Sequence, residues 1–267
     1  MIIEFIGAPG AGKTTLMPTV MAFFQERGIK TYTVVDAARP FAQRTLMGKV
    51  VGMLPGKVRR PLLWQVFYRL SALRRRQFRR RHERLMDHVV QSQVGRPAEA
   101  DVEKRKVLYW FDHLTGYYEF LRACIKPDEA LVLDEGFAHR VVQLFSSSAE
   151  APDREKIVAY LQQVPRPDLL IFTSTPREIC EERIYSRGLW ERAQHKSEAE
   201  ISQFVTNAHQ AVTVAVDFMR EQGWTVVAVD NGRTDLSATQ AELRRQLAQV
   251  FPAVETAATT AKSAFAD

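Results

Sequence analysis

The stretch from Ile2 to Thr14, IIEFIGAPGAGKT, decides the fold. Ile2 to Ile6 is a short apolar run that stops at Gly7, the pattern of a central strand covered by helices on both faces. Gly7 to Thr14 then matches G-x-x-x-x-G-K-[ST] at every fixed position. Glycines in such a loop let backbone N–H groups converge on phosphate oxygens. The helix that follows adds unpaired donors and the positive end of its dipole. The segment Gly7, Ala8, Pro9, Gly10, Ala11, Gly12, Lys13, Thr14 and Thr15 is therefore read as a cradle for a nucleoside triphosphate. Lys13 is placed to reach the β and γ phosphates, and the Thr14 hydroxyl to ligate Mg²⁺.

Working outward, Lys13 to about Arg27 reads as a helix, with Leu16, Val20, Phe23 and Phe24 at helical spacing and Gly28 placed to stop it. TYTVVD, Thr31 to Asp36, is rich in β-branched residues and reads as a second strand. Pro40 to Lys126 is helical by pattern, with apolar stripes at Leu63, Phe67 and Leu70 and at Leu85, Met86, Val89 and Val90. A break is expected over Val94 to Asp101. ALVLDEG (Ala130–Gly136), DLLIFTS (Asp168–Ser174) and WTVVAVD (Trp224–Asp230) complete five strands, separated by helical patterns. That alternation predicts a parallel sheet with right-handed crossovers. From Pro252 onward small residues predict a frayed tail.

The carboxylates Asp134 and Glu135 close the third strand, where side chains face the ligand crevice of an open α/β sheet. Asp134 is the expected metal anchor. Glu135 is read either as a group that polarises a water or acceptor hydroxyl or as support for Asp134.

The 267 residues carry a net charge of +6, and it is unevenly spread. Residues 57 to 84 hold eleven Lys and Arg against the single acid Glu83, a local +10 that leaves the rest of the chain at −4. Three readings fit: a solvated helical face, which suffers like-charge repulsion, an anionic membrane surface with Trp64, Phe67, Tyr68 and Phe78 among the arginines, or a polyanionic partner. A nucleic acid is the less favoured of these, because no recognition motif accompanies the charge. No apolar run is long enough for a spanning helix, and the N-terminus lacks the features of a secretory leader. A cytoplasmic protein is expected, with peripheral membrane contact through 57–84 in view. Cys124 and Cys180 sit in no metal or redox spacing and are read as structural thiols. The six histidines are scattered, which argues against a zinc site.

The chain resembles the nucleoside-monophosphate kinase group of P-loop kinases, nearest its thymidylate kinase-like branch. The resemblance is carried by IEFIGAPGAGKTT, by LVLDEG, by TPREICEERIYSRGLWER and by WTVVAVDNGRT. It implies a P-loop NTPase α/β three-layer sandwich with a five-stranded parallel sheet and a core over 1–40 and 127–250; the arginine-rich helical stretch over 41–126 stands as an insertion that departs from the family's acceptor-binding helices, and composition predicts a flexible tail over 251–267. It also implies a lid over the phosphates of ATP, on which Arg183, Arg187 and Arg192 fall where the family carries arginines. Guanidinium groups there clamp the charge of a transferring phosphoryl group. The competing reading pairs Arg183 and Arg187 with Glu178, Glu181 or Glu182 along the helix. Asp36 and Arg39, with Pro40, stand where the family meets its acceptor, and a turn after a strand explains them equally. The implied activity is ATP-dependent phosphoryl transfer to a nucleotide or to another small molecule such as a sugar or lipid headgroup, in a chain compatible with a homodimer. A nucleotide-dependent switch that hydrolyses ATP or GTP slowly is the rival class.

Overall fold

In the computed structural model, residues 1–94, 101–189, 194–232 and 235–252 are described. Five parallel strands run β1 (Ile2–Ile6), β2 (Lys30–Tyr32), β3 (Glu129–Leu133), β4 (Leu169–Ser174) and β5 (Val226–Asp230), in the sheet order β2-β3-β1-β4-β5. The register sets Glu4 of β1 opposite Leu133 of β3 and Leu170 of β4. Strand alternation divides the core. Ile3 and Phe5 join Val132, Ile171 and Val229 on one face, under α1 (Lys13–Gln25) and α11 (Leu236–Val250). Ile2 and Ile6 join Leu131, Leu133 and Leu170 on the other. That face is covered by α2 (Val34–Arg44), α7 (Arg140–Phe145), α8 (Arg154–Leu161), α9 (Arg177–Ser186) and α10 (Glu198–Glu221). The expected α/β three-layer fold with a five-stranded parallel sheet is what the chain adopts.

Because α1 leaves β1 on one face and α7 follows β3 on the other, a crevice opens between the carboxyl ends of these adjacent strands. The phosphate-loop sequence and the Asp134-Glu135 pair flank it.

The second strand is shorter than its composition predicts. It ends at Tyr32, and Thr33 caps a helix instead: its Oγ1 accepts from the Asp36 amide at 3.2 Å. A Thr followed three residues later by an acid is a helix-start signal. Burial of Ala37, Ala38, Phe41 and Ala42 along one face outweighs the β-branched preference of Val34 and Val35. Asp36, Arg39 and Pro40 therefore stand within a helix rather than in a turn after a strand.

The helical reading of the next segment holds, as α3 (Leu46–Gly52), α4 (Gly56–Arg81), α5 (Glu83–Val94) and α6 (Asp101–Cys124). Leu63, Phe67, Leu85 and Val89 are buried as the stripes predict, whereas Val90 is exposed. Helices α4 and α6 approach closely at Gly116, where a Cβ would lie 2.7 Å from the Ser71 carbonyl oxygen. The arginine cluster is partly neutralised within the chain. Arg75 and Arg79 pair with Asp112 at 2.7 and 2.5 Å, and Arg81 with Glu119 at 2.5 Å. Phe67 and Phe78 are buried and Trp64 packs partly against the core, so Tyr68 is the exposed one of the four aromatics read as membrane contacts. The break expected near Val94–Asp101 falls largely on 95–100, and the tail from 253, both outside the described residues. No helix among the described residues is long and apolar enough to cross a membrane.

Candidate functional site

The loop after β1 is held from three sides. Gly10 and Gly12 take φ of +82° and +86°, a conformation that L side chains rarely adopt. A Cβ at Gly12 would stand 2.2 Å from Asn231 Nδ2, and one at Gly10 would stand 2.4 Å from the Cys180 carbonyl oxygen. The Ala11 carbonyl accepts from Asn231 Nδ2 at 2.8 Å and from Thr175 Oγ1 at 3.1 Å. The ends of β4 and β5 thus fix the far side of the loop. Cys180, on α9 beneath it, is buried, and burial pushes its thiol up to about 11, so it packs as a structural thiol. Cys124 is half-buried and also unbridged.

Lys13 folds back over this loop, and its Nζ donates to the carbonyls of Gly7 at 3.2 Å and Ala8 at 3.4 Å. Burial lowers its pKa, while Glu135 and then Asp134 oppose that shift. Thr14 Oγ1 donates to Asp134 Oδ2 at 2.7 Å, across the crevice between β1 and β3. Asp134 Oδ1 is buried with no hydrogen-bond partner. A hydroxyl and a carboxylate with one spare buried oxygen form a hard oxygen pair that fits Mg²⁺. No group of three or more His, Cys, Asp or Glu among the described residues is arranged to hold a metal. A magnesium ion here would take its other ligands from phosphate and water, as such ions commonly do.

Glu135 is half-exposed beside three polar neighbours. It accepts from Gln143 Nε2 at 3.0 Å, with Arg140 Nη1 at 3.6 Å and His139 Nε2 at 3.8 Å. Burial first, then Lys13 and Arg140, push the pKa of His139 well below the usual imidazole value, so its ring is neutral. Arg140 also donates to Gln143 Oε1.

Beneath these groups lies Glu4, 2% exposed, on the α7 side of the sheet. Its Oε1 accepts from the His139 amide at 2.9 Å, and the amides of Ala138 and Phe137 also bond to it. A Cβ at Gly136 would lie 2.4 Å from the Glu4 carboxyl carbon, so a side chain here would have to displace that buried carboxylate. Burial raises the Glu4 pKa to about 7, against the lowering by these amides and by Arg140. The carboxyl therefore sets the course of the turn from β3 to α7 that carries Glu135, His139 and Arg140.

On α9, Arg183 Nη2 donates to the Asn231 carbonyl at 2.9 Å, and its Nη1 is buried without a partner. Arg187 caps the same helix at its C-terminal end. Glu178 and Glu181 pair instead with Arg177, so neither Arg183 nor Arg187 makes an ion pair among the described residues. Arg192 lies outside the described residues.

Two cavities adjoin at the crevice. One, of about 530 Å³, is walled by the loop with Lys13, Thr14, His139, Arg183 and Arg187. The other, of about 580 Å³, is largely apolar, walled by Val34, Val35, Val107, Trp110, Tyr117 and Arg140 among others. Asp134, Glu135 and Gln143 line both. Asp36 and Arg39 line neither: both are exposed on α2, and the Asp36 carboxylate accepts from Thr33 Oγ1 at 2.8 Å. Glu4, His139, Arg140, Trp110 and Asn231 escaped the sequence reading as site residues. The one available signal was an acid at the centre of the five-residue apolar run of β1.

No family model and no curated protein matches the sequence. Among solved structures, the chain is similar to the deoxyadenosine kinase of M. mycoides with bound dCTP, at 12% identity and a TM-score of 0.44, over 93% of this chain and 100% of that one. It is similar also to the same enzyme with bound dATP, at 12% identity and a TM-score of 0.43, over 92% and 99%. Likeness at this distance bears on no residue's role.

Proposed function

We propose that this chain is an ATP-dependent phosphotransferase, a P-loop kinase acting on a small-molecule acceptor. The observation that carries the reading is the pair of adjoining cavities, one shaped for phosphates and one for an organic body, with Asp134 and Glu135 in the wall between them. A hydrolase needs the first alone. Loop amides and Lys13 hold the triphosphate, and Mg²⁺ held by Thr14 and Asp134 would screen its charge. Glu135 accepts the proton of the acceptor hydroxyl. That oxygen bonds to the γ-phosphorus as the bridging P–O bond to the β-phosphate breaks, and ADP departs with the bond's electron pair. Arg183 and Arg187, with Arg192 proposed alongside them, hold the charge spread over the transferring oxygens. Among the described residues Arg183 and Arg187 have no carboxylate partner, which favours this role over a solvated helix face. The acceptor cavity presents apolar and aromatic walls together with Arg140, Glu135 and Gln143, which suits a flat apolar face such as a base joined to a polar accepting group. The acceptor class proposed is a small metabolite offering a hydroxyl, or a nucleotide, whose phosphate oxygen would attack in the hydroxyl's place without needing Glu135 as base; Trp110 and Arg140 replace Asp36 and Arg39 as the groups expected to meet it.

The test is an acceptor screen with Mg²⁺ and ATP, run beside Lys13→Ala and Glu135→Gln. Lys13→Ala is expected to lose transfer by about 10²-fold or more, as removal of one preorganised charge-stabilising donor does. Glu135→Gln is expected to lower kcat with little change in the ATP KM. Steady ATP hydrolysis with no phosphorylated acceptor across a broad panel would overturn the reading in favour of a nucleotide-dependent switch.

A further inference from the structure

From Ala37 to His82 the chain contains thirteen Lys and Arg and no acid. On the distal part of that run Arg75, Arg79 and Arg81 pair with Asp112 and Glu119 of α6, and nearer its start Arg44 pairs with Glu129. The cations next to α3 and at the start of α4 are not so engaged. Lys49, Lys57, Arg59 and Arg60 make no ion pair among the described residues. Beside them stands a group of exposed apolar side chains on α3 and the start of α4: Leu46 at 83% exposure, Met47, Val50, Met53 at 84%, Leu54 and Val58. At 100° per residue, positions 46, 47 and 50 of α3 and its C-cap Met53 fall within one arc, and Gly48, the buried residue of α3, falls on the opposite side; Leu54 follows just past the helix end. A helix that turns Gly48 and the half-buried Val51 to the protein while Leu46, Met47 and Val50 face water departs from ordinary amphipathic packing. Contiguous exposed apolar surface of this kind marks a binding surface.

We propose that α3 and the first turn of α4 lay this chain on an anionic lipid surface, the apolar arc entering the headgroup boundary and the four neighbouring cations meeting lipid phosphates. The combination selects the occupant. A nucleic acid would engage the cations but has no use for exposed Leu, Met and Val. A two-fold contact with a second copy would set this acid-free segment against itself, like charge on like. An anionic bilayer satisfies both components, burying apolar side chains about 5–10 Å deep while attracting the rim. This moves the membrane contact expected over 57–84 toward 46–60. The inference is independent of which acceptor the chain uses.

The test is flotation of the full chain with phosphatidylcholine vesicles, with and without phosphatidylserine, at low and raised salt. Binding is expected with phosphatidylserine only, and weaker in salt. Replacing Lys57 or Arg60 by Ser should each lower partitioning about fivefold, the factor that roughly 1 kcal/mol per cation implies. Val50→Asp with Met53→Asp should lower it about tenfold or more, with Mg·ATP affinity and circular dichroism as in the wild type. Arg76→Ser, farther along α4, should bind as the wild type does. Leu46→Ser serves as a milder apolar variant should the double variant lose its fold. Absence of wild-type binding to phosphatidylserine vesicles at low salt would overturn the proposal. So would apolar variants that bind like wild type, since charge alone would then act. A solution dimer split by Val50→Asp would assign the surface to a second copy instead.

Discussion

The phosphate cavity and the helices α3 to α5 are organised on opposite terms. Around the cavity, the ends of β1, β3, β4 and β5 converge with α1, α7 and α9, and the loop carbonyl of Ala11 is bonded by residues 164 and 220 positions away. In the helical half, Phe67, Phe78 and their aromatic neighbours form a local core between α4, α6 and the β3–α7 turn, while the outward side carries charge and loose apolar side chains. The first arrangement fixes groups to within a bond length for chemistry. The second fixes a scaffold and leaves its outer surface available. What differs is therefore the density of long-range polar anchors rather than the presence of structure.

That contrast can be broken most forcefully at Phe78, one of the side chains, with Phe111 and Tyr118, through which the helical half packs on Phe137. It is fully buried, stacks on Phe137 at 5.2 Å between ring centroids, and lies 4.3 Å from the His82 ring. Phe78→Ala should destabilise the fold by about 3–5 kcal/mol in denaturant melts, whereas Tyr68→Ala on the outer side of the same helix should stay within about 0.5 kcal/mol. Equal costs would mean the helical half has no core of its own.

The next largest effect is expected at Glu4, and it depends on pH. A carboxyl raised to about 7 in the folded chain contributes stability that is fully present below its unfolded value near 4.5 and is lost as pH rises through about 7. His139, whose pKa is lowered, acts in the opposite sense at mildly acid pH, and Tyr118, Tyr160 and Arg140 also face Glu4 electrostatically. The quantity to measure is therefore the difference between wild type and Glu4→Gln across pH 4.5 to 7.5. It should change by on the order of 1–3 kcal/mol over that window; a difference flat with pH would mean that Glu4 does not titrate there.

Whether such anchors can be seen in a sequence depends on how far apart their partners lie. The phosphate loop is legible because its amides, its lysine and its hydroxyl are contiguous. Asp134 is legible as a strand-end acid, and its bond to Thr14 follows from the topology. Glu4 is not, since its partners are backbone amides 133 or more residues away, and an acid in an apolar strand says only that something must satisfy it. The end of β2 departs from its composition because a capping Thr33 outweighs the two β-branched residues after it. The pairing within the charge run on α4 is hidden because Asp112 and Glu119 come 33 or more residues after the arginines that they neutralise.

Smaller effects sharpen the comparison. Asn231→Ala should cost about 1 kcal/mol, the scale of one hydrogen bond, and should weaken ATP binding measurably, because the loop loses its far-side anchor. Arg79→Ala, which gives up a half-exposed pair with Asp112, should cost about 0.2–1 kcal/mol and leave ATP binding unchanged. If the two variants moved ATP affinity alike, the density of anchors would not be what separates the halves.

The most direct measurement is a calorimetric titration of the full chain with ATP and magnesium, repeated with Lys13→Ala. Curled amides and a buried ammonium predict saturable heat with one nucleotide per chain, thermal protection of the fold, and affinity much reduced in the variant. A folded wild-type chain that gives neither heat nor protection would contradict the account at its root.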